Sequence, residues 1–250
     1  MAWYKNLNQF KSENGYEIEG KWYPRVTSIL SIKAKPALYK FYGDHASFAS
    51  AEAMKEKSAE EGTLVHETIE AILANQPIPT PPLIAPVISA FKSFTEQHDI
   101  IPHQIESKII SKKHGYAGTI DVLAELDGKL GVLDIKTSYA IWRDYGIQTA
   151  AYVEALHEDS NMPRLTRWIL RLDQFRPCVN KCGATLREKG GTKKIRSRFG
   201  PCTHAWGDMI GDVELKELGD LSEDTTAFLA AKSLWEWEHQ EWVRQIPTLA

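Results

Sequence analysis

The sequence predicts one α/β domain, a mixed β-sheet flanked by helices, and three observations carry that prediction. Its 250 residues are 43% hydrophobic and 25% charged, the proportions of an ordinary globular chain with enough length for a sizeable core. Apolar residues recur at helical spacing in 36–73, 143–158 and beyond Ser222, and the period switches to two in 104–111, 119–126, 129–138 and 167–175. Prolines and glycines punctuate those switches.

The elements follow in order. Residues 16–30 mix short apolar runs with Gly20 and Pro24 and read as a small hairpin or irregular lead-in. From Pro36 to Leu73 the pattern is helical, and Ser58 with Glu61 resembles a capping box opening GTLVHETIEAIL. On that helix Leu64, Val65, Thr68, Ile69, Ile72 and Leu73 share one face, which places His66 at its edge. Five prolines in QPIPTPPLIAP read as a stiff connector, and a helix starts at Pro86. An antiparallel meander comes next: strand 104–111, strand 119–126, the tight turn Asp127-Gly128, and strand 129–138. A helix over 143–158, strands at 167–175 and in DMIGDVELKEL, and a terminal helix with Phe228, Leu229, Trp235 and Trp237 complete the chain.

Composition narrows the function classes. Lys plus Arg number 30 against 33 for Asp plus Glu, a net charge of −3, so any polyanion must be held by a local patch. The start has no basic stretch followed by an apolar one, and no apolar run reaches the roughly 18–20 residues of a membrane span. No membrane partner is expected, and three Cys, an odd number, fit a reducing, cytoplasmic setting.

The register of the central hairpin is the most informative inference. If Asp127-Gly128 is a two-residue turn, Leu126 faces Lys129, and counting outward brings Asp121 opposite Asp134 on one face. Lys136 shares that face because strand side chains alternate. Two facing carboxylates repel unless neutralised, and Mg²⁺ or Mn²⁺ with oxygen ligands is an economical partner. The competing reading turns these charges to solvent; Leu123 and Val132 on the same face, and Glu106 on the neighbouring strand, weigh against it.

Taken together, His66, Glu106, Asp121, Asp134-Ile135-Lys136 and Gln148-x3-Tyr152 resemble, in order and spacing, the PD-(D/E)XK nuclease superfamily and its RecB-like exonuclease branch. GTLVHETIEAIL looks like that branch's histidine helix, AGTID its first aspartate strand, LDIKTS its second, and YGIQTAAYVEAL its Gln-Tyr helix. The likeness runs from about Tyr23 to Trp237; Ile120 stands where the motif's proline would precede Asp121. The resemblance implies a restriction-endonuclease-like core spanning 1–250 as one nuclease domain. Its parts would be an N-terminal helical part (1–98), a catalytic core (99–175), a basic Cys-containing insertion (176–205), and a closing strand with C-terminal helix (206–250).

Carried over, Asp121, Asp134, the Ile135 carbonyl and His66 would hold the Mg²⁺ or Mn²⁺. Lys136 would approach the scissile phosphate, and Glu106 would hold a water beside the ion. Gln148 and Tyr152, one helical turn apart, would position substrate and Lys136; the alternative is that Tyr152 packs and Gln148 is solvated. Thr137 and Ser138 could donate to a backbone phosphate or cap the next helix. The implied activity is metal-dependent hydrolysis of DNA phosphodiesters, as an exonuclease on single-stranded ends in DNA repair, recombination or replication. A DNA-binding subunit without cleavage and a structure-dependent endonuclease are the alternatives, and a helicase or recombination partner is left unspecified. The N-terminal helices and the proline connector would arch over the site.

Two features lie outside that pattern. Cys178-x3-Cys182 and Cys202-x-His204 could bind a structural Zn²⁺, or be a chance cluster of reduced thiols. The four-Cys iron–sulfur cluster of some such nucleases is not expected, since no Cys precedes residue 178. Between the pairs, Lys181, Arg187, Lys189, Lys193, Lys194, Arg196 and Arg198 stand against Glu188 alone, in a stretch that Gly183, Gly190 and Gly191 mark as a flexible loop. Lys193, Lys194, Arg196 and Arg198 are its expected contacts to a DNA strand; the alternative is a solvated charge run.

Overall fold

The computed structural model describes residues 4–158, 162–196 and 201–247. The chain opens with α1 (Leu7–Asn14), whose first turn is capped by Asn6 Oδ1 accepting from Gln9 N at 2.9 Å. The lead-in is a hairpin of β1 (Gly15–Ile18) and β2 (Lys21–Pro24), followed by the short α2 (Val26–Ile29) and α3 (Pro36–Gly43). Then comes α4 (Phe48–Leu73), which starts ten residues before Ser58. Its capping box is Ser47 with Ser50, so the predicted Ser58–Glu61 box is corrected: both residues lie inside the helix, and Glu61 instead accepts from Gly190 N at 3.1 Å. The proline connector leads into α5 (Ala85–Thr95), with Pro86 in its first turn.

Seven strands form a mixed sheet flanked by helices. β3 (Ile100–Ser111), β4 (Tyr116–Leu126) and β5 (Lys129–Lys136) are the antiparallel meander. The chain crosses through α6 (Asp144–Leu156) to β6 (Thr166–Pro177), which runs parallel to β5. β9 (Ile210–Leu218) pairs antiparallel with β6, and α7 (Ser222–Glu238) and α8 (Gln240–Val243) follow. The stretch expected to be a flexible loop is a hairpin, β7 (Thr185–Lys189) and β8 (Thr192–Arg196), turning at Gly190 and Gly191 with φ of 57° and 78°. The glycines supply the left-handed turn that a two-residue hairpin needs, and the β-branched residues flanking it favour strand.

Each sheet face carries its own core. Leu123 and Val132 pack with Phe10, Val26, Ile29, Tyr152, Phe228 and Trp235 from the layer of α1, α2, α6 and α7. Val122, Leu133, Ile135 and Leu170 pack with Val65, Ile69, Ile88 and Phe91 from α4 and α5. The alternation predicted for these strands is thereby used on both sides, each fully buried Ile, Leu or Phe contributing about 1.5–3 kcal/mol. Among the described residues no helix is long and apolar enough to cross a membrane.

Candidate active site and metal clusters

The Asp127-Gly128 turn has φ of 49° and 79°, Leu126 pairs with Lys129, and the register holds out to Val122 against Leu133. There the ladder stops. Asp121 does not continue the pairing with Asp134; its Oδ2 accepts from the N–H of Ile135 at 2.7 Å, so a carboxylate takes the place of a backbone partner. Asp134 is fully buried. Its Oδ1 accepts from Lys136 Nζ at 2.8 Å and from Gln148 Nε2 at 3.2 Å. Lys136 Nζ is also 2.7 Å from Oδ2, so the ammonium spans both oxygens of the carboxylate. Two carboxylates against one ammonium leave the cluster with an excess negative charge, which a low-dielectric site tolerates poorly.

The protonation equilibria follow from that imbalance. Burial pushes the Asp134 carboxyl up to about 6, with Lys136 opposing and Asp121 adding to the rise. Burial also raises Asp121, against the pull of Lys136 and the Ile135 N–H. Lys136 sits above its ordinary value, because Asp134 and Asp121 together outweigh the burial that disfavours its charge. Its ammonium lies 5.1 Å from the centre of the Tyr145 ring.

α6 supplies the next layer. Gln148 Nε2 donates both to Asp134 and to Tyr152 Oη, the latter at 2.8 Å, so Gln148 is engaged and Tyr152 is buried behind it. Tyr152 fits because residue 118 has no side chain: a Cβ there would stand 2.6 Å from Tyr152 Cε1.

α4 brings His66 and an unpredicted residue, Glu70, to the open end of the sheet. With Gly62, Glu67, Glu106 and Thr137 they line a cavity of about 500 Å³. His66 Nδ1 is 3.9 Å from Glu70 Oε1. Burial and then the Lys136 charge lower His66 to about 4, so its imidazole is neutral near pH 7, the form that can bind a metal. Burial and then Glu106 raise Glu70 to about 7. Glu106 has φ of 48° although the pairs on either side of it keep register, a left-handed kink costing about 1–2 kcal/mol. The kink turns its side chain toward Glu70. Glu70 was legible as a carboxylate one turn beyond His66, but only the approach of β3 gives it a role.

The basic hairpin docks beside this cavity through Lys189 and Arg187. Lys189 Nζ donates to the Thr137 carbonyl at 2.5 Å, and Arg187 reaches the same oxygen at 3.3 Å while its Nε pairs with Asp173 at 2.7 Å. Burial lowers Lys189 to about 8. Lys193 pairs with Glu188 at 3.0 Å and is exposed; Lys194 lies over the Phe41 ring, and Arg196 over that of Tyr139. Arg198 lies outside the described residues. Ser138 Oγ donates to the Ala140 carbonyl at 2.7 Å and does not cap α6, whose N-cap position is Arg143. The proline connector also departs from expectation. Its Leu83 carbonyl accepts from Gln174 at 2.8 Å, and what covers the cavity is α4 with the β7–β8 turn, where Gly190 sits against Ser58 and Met54.

Cys178, Cys182, Cys202 and His204 come together with their ligand atoms all within 4.8 Å of one another, a cluster that could hold a metal ion. Cys178 leaves the end of β6, and its N–H donates to the Ala184 carbonyl at 2.9 Å; the segment carrying Cys202 returns alongside, Val179 N–H donating to the Ala205 carbonyl, also at 2.9 Å. Among the described residues this is the only group of three or more His, Cys, Asp or Glu drawn together so closely. Asp121, Asp134 and His66, like the carboxylates of the cavity, are not drawn together so closely. Comparison of the chain with known protein families and with curated proteins finds no match.

Proposed function

We propose that the chain is a Mg²⁺- or Mn²⁺-dependent nuclease with a restriction-endonuclease-like core, acting as an exonuclease on single-stranded DNA ends. The observation that carries the reading is the fully buried Asp134 carboxylate beside Asp121 and Lys136 at the point where the β4–β5 ladder ends. The excess of carboxylate over ammonium suits a hard divalent cation, for which Asp121, Asp134, the Ile135 carbonyl and the neutral His66 are the candidate ligands.

When bound, the cation supplies Lewis acidity toward the phosphate and makes water more acidic. The chain's own residues do the rest. Lys136 places a positive charge where the negative charge of the phosphoryl transition state develops. Gln148 fixes Asp134 by a hydrogen bond and is itself fixed by Tyr152, which holds the carboxylate in one orientation. Glu70, whose carboxyl burial and the neighbouring Glu106 raise to about 7, is suited to accept the proton of an attacking water. Lys189 and Arg187 bring positive charge to the rim, favouring entry of a polyanion into a chain whose net charge is −3.

The Cys178–His204 cluster fits Zn²⁺ better than Mg²⁺, since three thiols and an imidazole are soft to borderline donors in a tetrahedral number. At the base of the hairpin such an ion would anchor β7 and β8 against the cavity. The test of function is a time course on 5′- and 3′-labelled oligonucleotides and on circular single-stranded DNA, with Mg²⁺, Mn²⁺ or EDTA. Metal-dependent shortening of linear strands with intact circles is expected. Cleaved circles indicate an endonuclease, and no cleavage with any metal overturns the reading.

A further inference from the structure

A second cavity, of about 600 Å³, opens between the segment from Thr27 to Leu38 and the start of α6. Its walls are mainly apolar, from Leu30, Pro36, Leu38 and Trp142, and its rim carries Lys33, Lys35 and Arg143. Its size is that of an ordinary small-molecule site. Two features connect it to the carboxylate cluster. Gln148 lines it while donating to Asp134 Oδ1 at 3.2 Å, and Tyr145 lines it while its ring receives the Lys136 ammonium at 5.1 Å.

Trp142 is 45% exposed, with its ring edge-on to Tyr139 at 6.0 Å, and Tyr139 is 43% exposed. Trp142, a large aromatic side chain left half in water where it lines the cavity, marks a surface that gains by being covered. The charge of the rim specifies what covers it. Lys33 pairs with Asp144 at 2.7 Å. Arg143 makes long, solvent-exposed ion pairs with Glu223 at 3.8 Å and Asp224 at 3.9 Å. Among the charged residues that line the cavity, Lys33, Lys35 and Arg143 stand against Asp144 alone, around an apolar floor with an aromatic edge. A nucleotide has the complementary construction, with a flat apolar face that stacks and a phosphate that seeks cations.

We propose that this cavity is a nucleobase-stacking subsite, which takes a base of the bound strand next to the scissile phosphate, against Trp142 with the adjoining phosphate at Lys35 and Arg143. The proposal rests on the nuclease reading of the neighbouring carboxylates and names how the strand is held there. Stacking tolerates any base, so the subsite contributes affinity without sequence preference.

The experiment measures binding of a fluorescein-labelled twelve-residue oligo-dT in EDTA by anisotropy, for the wild type, Trp142→Ala and Trp142→Phe, and repeats it with an oligonucleotide of abasic linkers. Cleavage of the same oligo-dT in Mg²⁺ or Mn²⁺ is followed in parallel. Trp142→Ala is expected to weaken oligo-dT binding about 5- to 100-fold and to raise KM more than it lowers kcat. Trp142→Phe should restore most of the loss, and the abasic strand should bind all three proteins alike. Unchanged oligo-dT binding by Trp142→Ala, an equal loss with the abasic strand, or no binding by the wild type overturns the subsite. Cleavage with an unaffected Kd and KM in Trp142→Ala removes the subsite and leaves the nuclease. Trp142-dependent binding without cleavage removes the nuclease and leaves the stacking site.

Discussion

The Asp121 carboxylate accepts the N–H of Ile135 at 2.7 Å, one step beyond the last backbone pair of β4 and β5. A side chain that substitutes for a ladder partner lets the two strands part while leaving the amide satisfied. The pairing of β4 with β5 ends where Asp134 and Lys136 sit, so this hydrogen bond closes the hairpin at the candidate site.

Asp121→Asn tests this role. The amide oxygen can still accept from Ile135, so the thermal midpoint should stay within a few degrees of wild type, whereas cleavage should fall at least about 10²-fold with the loss of a carboxylate. Lys136→Ala should abolish cleavage in the same assay while oligonucleotide binding stays nearly unchanged. Persistent cleavage by Lys136→Ala would remove the role given to its ammonium.

Glu70 should make the metal-free protein less stable as the pH rises. Its carboxyl is at about 7 in the folded chain against an ordinary 4.5, so between those values the folded state holds a proton that the unfolded state has released. Stability is then lost as pH rises through that window. Asp134 acts in the same direction between 3.8 and about 6. His66, lowered from 6.5 to about 4, acts oppositely, since the unfolded chain takes up its proton first as pH falls. Above pH 6.5 Glu70 alone of these three still titrates. In EDTA, Glu70→Gln should therefore melt above wild type at pH 8, by roughly 2–4 °C for about 1 kcal/mol, and the gap should close toward pH 5. Scanning calorimetry at both pH values decides it; a gap independent of pH refutes the assignment.

Gly118→Ala should displace Tyr152. The added methyl would lie 2.6 Å from Tyr152 Cε1 and 3.3 Å from Val26 Cγ2, inside a packed core. Overpacking of this kind costs about 1–3 kcal/mol. Because Tyr152 holds Gln148, and Gln148 holds Asp134, cleavage should fall more steeply than stability. Chemical denaturation and kcat measured on the same preparation separate the two effects.

The Cys178–His204 cluster should carry about one equivalent of zinc, released by a thiol-blocking mercurial and lost in Cys182→Ser. Loss of the ion should loosen the hairpin that places Lys189 on Thr137, seen as faster tryptic cleavage at the exposed Lys193 and Lys194. A metal-free wild type with a protected hairpin would show that the thiols cluster without a structural ion.

The sequence alone determined the order of α5, the β3–β5 meander, α6, β6, β9 and α7, the Asp127-Gly128 turn and the register it imposes as far as Val122 and Leu133. Those features follow from short-range rules, side-chain alternation and turn residues with positive φ, which act over a few neighbours. His66 at the edge of the apolar face of α4 was legible for the same reason. The partners of those residues were decided by tertiary structure. Glu70 meets Glu106 because α4 packs over the end of β3, and Gln148 meets Asp134 because α6 covers the face of β5. Lys189 docks beside the cavity because a hairpin stood where composition suggested a loop. Contacts between elements depend on how helices and strands pack in three dimensions, and periodicity along the chain carries no record of that distance.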